Sequence, residues 1–289
     1  MISIITPTHN RAALLSRMIN SVLKQSFRNW ELVIMDDGST DDTQAVVNDF
    51  KDSRIKYYFT KNSGAADKRN RGSEVAAGDY VIFLDSDDEV KEQWLEKLSE
   101  EVQGKGSDLV CCGYEKFDHN GKSIGVDLPK DLGAMFDNVT ASFLAGSILI
   151  KKEIFEKCGG YDQELASGHH TDLLLRLLQN PEKPKISNIF LPLVKIHLHD
   201  GARIRHNQEA IYQGSKRFFL KHTELLKGNS KNHFDYLSVA GVSAVRTKRY
   251  KKASSLFFKA LQIRPNSLKA YMRLIISLMP KLRDKFWKK

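Results

Sequence analysis

Residues 2–37 read ISIITPTHNRAALLSRMINSVLKQSFRNWELVIMDD. ISIIT and ELVIM are apolar runs of strand length. Between them Leu14, Leu15, Met18, Ile19, Val22 and Leu23 recur at three- and four-residue spacing, the period of a helix with one buried face. Strand, helix and strand in that order predict a parallel crossover unit. The alternation continues outward. Val46, Val47 and Phe50 mark a helix, IKYYFT (55–60) a strand, ADKRNRGSEVAA (66–77) a helix, and YVIFL (80–84) a strand. A helix around 91–103 and the strand SDLVCCGY (107–114) follow, so the first half reads as a doubly wound α/β sheet. Such sheets bind ligands beyond the carboxyl ends of their strands. The polar clusters TPTHNR (6–11), DDGSTDD (36–42) and DSDDE (85–89) all fall at that edge.

Further along, residues 113–142 are polar and weakly periodic, with DHNGKS (118–123) predicting a hairpin turn. The apolar stretch SFLAGSILIKKEIFEKCGGYD (142–162), a helix TDLLLRLLQN (171–180) and a strand-like IFLPLVKIHLH (189–199) come next. Beyond about residue 206 strand-like runs disappear and Lys and Arg become frequent, which places a boundary within 200–212.

The 289 residues carry a formal charge of +10. That excess suits an acidic partner: nucleic acid, anionic lipid or a phosphate-bearing substrate. Nucleic acid ranks last, because the basic residues are dispersed and no binding motif is present. Cys111, Cys112 and Cys158 are odd in number and lack zinc-type spacing, so they read as reduced core thiols of a cytoplasmic protein. The start has no basic region before an apolar stretch, and no window reaches membrane-spanning length. No GxGxxG follows the first strand and no GxxxxGK[ST] occurs, which disfavours dinucleotide dehydrogenases and P-loop enzymes.

In VIFLDSDDEV (81–90) a buried strand runs straight into Asp85, Asp87 and Asp88. Crowded carboxylates repel one another unless they are exposed, cap a helix or hold a cation. Asp87 or Asp88 as N-cap, with Glu89 in the first turn, accounts for one or two acids but not the third. A divalent metal shared with a phosphate suits the spacing of Asp85 and Asp87 better. In DDGSTDDT, Ser39, Thr40 or Asp41 suffice to cap the next helix; Asp36 and Asp37 are left over, placed to accept hydrogen bonds from a base or sugar edge. Arg69, Asn70 and Arg71 at a helix start suit a diphosphate or base, although exposed arginines are commonly just solvated.

With IITPTHNR, VIMDDGSTDDT, NSGAADKRNRG, AAGDYVIFLDSDD and GGYDQEL…DLLLRL in order, residues 1–205 resemble family 2 glycosyltransferases. The resemblance implies a GT-A fold, an α/β Rossmann-like mixed, mainly parallel sheet flanked by helices, here with a helical extension over 206–289. It further implies an inverting transfer of a sugar from a nucleotide donor, usually UDP-linked, to an acceptor hydroxyl. Carried over residue by residue, Pro7, His9 and Arg11 line the nucleotide pocket, Asp37 meets the uracil, and Arg69 lies near the base. Asp85, Ser86 and Asp87 form the DxD motif. Asp87 would hold Mn²⁺ or Mg²⁺ on the diphosphate, and Asp85 would face the ribose or a metal-bound water. Of His197 and His199, which strand alternation puts on one face, His199 is the candidate beside the diphosphate and metal.

One block departs from the pattern. Where relatives carry Glu-Asp in xxEDxDLxLRL, whose Asp acts as base on the acceptor, this chain has His169 and His170 in ASGHHTDLLLRL. Three readings stay open: His170 is the base, Asp172 or another nearby acid has the role, or turnover is lost and a nucleotide-sugar-binding module remains.

YLSVAGVSAVRTKRYKKASSLFFKALQIRPNSLKAYMRL (236–274) is similar to one tetratricopeptide-type hairpin, with Gly241, Ala244, Tyr250, Ala253, Phe257, Ala260 and Pro265 near the usual positions. An ordinary amphipathic helical cap reads equally well. LIISLMPKLRDKFWKK (274–289) joins apolar residues to Lys281, Arg283, Lys285, Lys288 and Lys289, a composition suited to an anionic membrane surface or to a frayed basic tail. The expected setting is the cytoplasm, at the inner face of the membrane, with a glycan or lipid-linked glycan as acceptor and no nucleic acid partner.

Overall fold

The computed structural model of the chain describes residues 1–198, 207–280 and 282. The elements run β1 (Ile2–Thr8), α1 (Ala12–Leu23), β2 (Trp30–Asp36), α2 (Thr43–Asp49), β3 (Ile55–Phe59), α3 (Ala65–Val75), β4 (Tyr80–Phe83), β5 (Glu89–Val90), α4 (Trp94–Lys105) and β6 (Leu109–Phe117). They continue with β7 (Ser123–Asp127), β8 (Lys130–Asp131), β9 (Thr140–Ala141), β10 (Ile148–Lys151), α5 (Lys152–Lys157), α6 (His169–Leu178) and β11 (Ile186–His197). Last come α7 (Gln208–Lys221), α8 (Thr223–Lys227), α9 (Ser230–Arg246), α10 (Tyr250–Ile263) and α11 (Leu268–Leu278). None of the helices among the described residues is long and apolar enough to cross a membrane.

Two compact units result. One comprises Met1–Gln163 with Leu173–Asp200, the other Glu164–Asp172 with Gly201–Lys289. A linear division at 205/206 does not contain this detail, that Glu164–Asp172 groups with the helices.

In the first unit the sheet order is β3-β2-β1-β4-β10-β6-β11-β5, with β7 on β6. β1 to β4 are mutually parallel where they pair, as the crossover pattern predicts. β10 then enters antiparallel between β4 and β6, which makes the sheet mixed beyond that point. Strand alternation divides the core. Ile4, Leu32, Ile34 and Ile82 pack with Leu15, Met18, Trp94 and Leu98 on one face. On the other, Ile5, Val33, Met35, Val81 and Phe83 pack with Ala66, Phe155, Leu173 and Leu177. Gly72 lets α3 lie flush on that face, since a Cβ there would collide with Ile5 and stand 3.1 Å from Met35 Cγ.

The helix expected around 91–103 starts at Trp94. The residues before it are diverted: Glu89 and Val90 pair with Lys195 and Val194, and the Lys91 N–H donates to the Leu193 carbonyl at 2.9 Å. DHNGKS forms the turn between β6 and β7, as expected. Cys111 and Cys112 are free and fully buried. Burial pushes the Cys111 thiol up to about 12, so it stays protonated and inert.

In the second unit, Asn207, Asn229 and Ser267 accept N–H groups from Ala210, Asn232 and Ala270 and so start α7, α9 and α11. Ala244, Ala253, Phe257 and Ala260 are fully buried in the α9–α10 hairpin. Gly241 lies so close to the Phe257 ring that a Cβ would meet it at 2.5 Å.

Candidate active site

The loops leaving β1 and β2 are stitched together by side chains. Asn10, at φ 50°, donates its N–H to Ser39 Oγ at 2.8 Å, and its Oδ1 accepts the Thr40 N–H at 2.8 Å. Asp41 accepts from Ala12 N and Thr43 N at 3.1 Å each, serving the starts of α1 and α2 together. Along this ledge Pro7 is buried and His9 exposed. A ring nitrogen of His9 lies 3.0 Å from the Asp37 carbonyl, and Arg11 is the N-cap residue of α1.

Asp36 and Asp37 both point inward. Asp36 accepts the Ser39 N–H at 2.7 Å and the Tyr57 hydroxyl at 2.6 Å. Burial first, and then this carboxylate, push the Tyr57 phenol well above its ordinary value. Asp37 accepts from Ser63 N at 2.7 Å and Gly64 N at 2.9 Å, and Lys68 Nζ stands 3.2 Å away. Lys68 itself is fully buried and also pairs with Asp67 at 3.0 Å. The Asp37 carboxylate therefore fixes the 61–64 loop.

Where β4 ends, the Leu84 N–H donates to the Ile5 carbonyl at 3.0 Å, and the chain then turns through Asp85, Ser86, Asp87 and Asp88. Carboxylate oxygens of Asp85, Asp87 and Asp88 lie within 4.8 Å of one another. Helix capping does not explain them, because α4 begins at Trp94 with Gln93 at its N-cap. Arg69 donates to Asp85 Oδ1 at 2.6 Å, and its guanidinium lies 5.4 Å from the centre of the Tyr161 ring. Arg17, from α1, donates to the Asp87 carbonyl at 2.6 Å and holds the loop by its backbone. The His197 N–H donates to Asp88 Oδ1 at 3.1 Å. The His197 ring stacks on Phe117 and stands 2.7 Å from Glu89. Burial, then the nearby Arg17, hold the His197 pKa below the ordinary imidazole value, with Glu89 opposing them. His199 lies outside the described residues.

A donor set made only of carboxylate oxygens fits a hard divalent cation such as Mn²⁺ or Mg²⁺. Two further groups in the unit fit a polar ligand. Thr8 Oγ1 and Arg69 Nε are two of the ten buried side-chain atoms with no hydrogen-bond partner among the described residues.

The GGYD block braces the same edge. Asn70 donates to the Tyr161 carbonyl at 2.9 Å and accepts its N–H at 2.8 Å. Arg176 donates to the Cys158 carbonyl at 2.6 Å and the Gly160 carbonyl at 2.5 Å. Gly159 and Gly160 take positive φ, at 79° and 62°, which glycine alone adopts freely.

His169 and His170 open α6 and are half-buried. Asp172 has a different occupation from the exposed one a base requires. It is fully buried, 2.8 Å from Lys221 Nζ and 2.8 Å from His222 Nε2. Phe218 packs on the His222 ring at 4.5 Å. Removing one member of a buried ionic network strands the others. Asp172→Ala is therefore expected to lower stability by about 3–5 kcal/mol, read as a fall in the midpoint of urea unfolding. A midpoint equal to that of the parent protein would remove the anchoring role.

Sequence reading did not assign Asp88 as a third ligand of the acidic group, Arg17 as a support of its turn, or Lys68 as the buried partner of Asp37 and Asp67. Asp88 had a signal in its position, but Arg17 and Lys68 look like ordinary solvated positions on helices until the fold brings their partners in.

The model of the family described as Glycosyl transferase family 2 matches residues 3–159. Among curated proteins, the chain is 32% identical over 176 residues to "Glycosyltransferase GlyG" of Streptococcus pneumoniae, covering 54% of this chain and 58% of that protein. It is 29% identical over 294 residues to "GalNAc(5)-diNAcBac-PP-undecaprenol beta-1,3-glucosyltransferase" of Campylobacter jejuni, covering 96% of this chain and 94% of that one. Among solved structures, S. aureus TarS 1-349 in complex with UDP-GlcNAc superposes with a TM-score of 0.67 at 16% identity, covering 98% of this chain and 86% of that one, a likeness of fold.

Proposed function

The chain belongs to glycosyltransferase family 2, and from that premise we propose a metal-dependent, inverting transfer of a sugar from a UDP-linked donor to an acceptor hydroxyl. The observation that carries this reading is the group of three carboxylates at the end of β4, within 4.8 Å of one another and with Arg69 bonded to Asp85. Asp87 and Asp85, joined by Asp88, would hold a divalent cation whose charge stabilises the departing nucleotide diphosphate. Ser86 lies between them in the same turn. Pro7, His9 and Arg11 border the nucleotide, and Asp37 shapes the base pocket through the 61–64 loop. Arg69 adds positive charge where the leaving group gathers negative charge. His170 takes the base role, with Asp172 anchoring its helix from two residues away.

The UDP-GlcNAc bound to TarS supports a UDP-linked donor. The name of the Campylobacter relative, aligned along nearly the whole chain, supports a polyprenyl-diphosphate-linked glycan as acceptor. With such an acceptor the enzyme works at the cytoplasmic face of a membrane, in building a cell-surface polysaccharide or lipid-linked glycan. The test is calorimetric titration of UDP with and without Mn²⁺, followed by UDP-release assays over a panel of UDP-sugars. Expected are UDP binding that tightens at least about tenfold with Mn²⁺ and turnover of one donor. Binding indifferent to the metal would sink the metal-dependent reading.

A second reading is favoured by His169 and His170 standing where relatives carry Glu-Asp. In it the chain binds a nucleotide sugar without transferring it and acts through its helical unit.

A further inference from the structure

α11 buries one side and leaves the other bare. Ala270 and Ser277 are 0% and 1% exposed, and Ser277 Oγ lies 3.0 Å from Ser254 Oγ on α10. Leu268, Tyr271, Met272, Ile275, Leu278 and Met279 are 48–79% exposed. At roughly 100° per residue, these six share a sector of about 120° turned away from Ala270 and Ser277. Scattered apolar residues on a surface are ordinary, but a continuous stripe three turns long marks a binding face.

The charge of the sequence segment that carries the stripe selects its partner. α11 contains Lys269 and Arg273 and no acidic residue, and from 268 to 289 the sequence has seven Lys or Arg against the single acid Asp284. A second copy docked through the same face would set these like charges against each other, since a two-fold interface presents the same patch from both sides. An anionic lipid surface reverses the sign of that interaction, with apolar side chains entering the acyl boundary and basic ones meeting headgroup phosphates.

We infer that the outer face of α11 is a lipid-docking surface, on which the helix lies in the plane of a bilayer containing anionic lipid. This rests on the reading that the enzyme works at a membrane, and it assigns the contact to a folded helix rather than to the basic residues after 282.

The test sediments the full chain with vesicles of phosphatidylcholine alone or with about 30% phosphatidylglycerol. Three proteins are compared: the parent, the triple variant Met272→Ser, Ile275→Ser, Leu278→Ser, and a chain ending at Leu282. All three substituted side chains are exposed, so the variant should keep the parent's circular dichroism and UDP affinity. The parent is expected to bind the anionic vesicles and to release in high salt, and the triple variant to lose about 100-fold or more in partitioning. Undiminished binding by the triple variant, with loss in the shortened chain, would keep the membrane reading and overturn the assignment to α11. No binding by the parent would overturn both. A parent that self-associates without binding lipid, and a triple variant that is monomeric, would give the face to a second copy.

Discussion

Asp87→Ala is expected to lower sugar-donor turnover by about 10²–10³-fold, or roughly 2.7–4 kcal/mol of transition-state stabilisation, and to abolish the dependence of UDP affinity on Mn²⁺. The reasoning starts from what the substitution leaves intact. The acidic turn is held by its backbone, through Arg17 on the Asp87 carbonyl at 2.6 Å and the Leu84 N–H on Ile5 at 3.0 Å. It is held also through Asp88, which receives the His197 N–H at 3.1 Å. These contacts run through the backbone and through Asp88, and Asp87→Ala removes one carboxylate from the acidic group. Asp85 differs, because Arg69 is bonded to it at 2.6 Å; Asp85→Ala would free a buried guanidinium as well. Steady-state UDP release and calorimetry with and without Mn²⁺ check the prediction. If Asp87→Ala retained the parent's kcat and its metal dependence, the acidic group would not be a cation site in catalysis.

How much of this could be read in the sequence depends on how local each determinant is. The crossover units were legible because burial on both sheet faces writes itself as short apolar runs, and Ile2–Thr8 and Trp30–Asp36 are buried at every position. β5 was not legible. Two residues, Glu89 and Val90, become a strand only because β11, about a hundred residues later, lies beside them. Asp85 and Asp87 declared themselves by spacing. Capping by Asp87 or Asp88 stayed an alternative in the sequence because the delayed start of α4 depends on that same distant pairing. Asp172 sits in a helical pattern and carries no local sign of Lys221, at the end of α7, or of His222, the residue that follows it. The bare stripe of α11 is periodic in the sequence, but periodicity alone marks an apolar face without telling whether it is covered.

His170→Ala is expected to reduce kcat by about 10²–10⁴-fold while UDP affinity stays at the parent value. The proposed base role of His170 comes from the resemblance to the family's Glu-Asp block, and the residue lies at the start of α6, half-buried. Asp172, two residues on, is fully buried and paired, so it cannot accept a proton from an acceptor without breaking its bonds to Lys221 and His222. His170→Asp restores a carboxylate at that position and is expected to recover part of the rate lost in His170→Ala. The comparison separates the two functional readings. A parent that turns over a donor, with turnover lost in His170→Ala and partly kept in His170→Asp, is a transferase that has exchanged its carboxylate base for an imidazole. A parent that binds UDP, turns over no donor and gains turnover in His170→Asp has kept its nucleotide site and lost its base, and its helical unit then becomes the part that carries function.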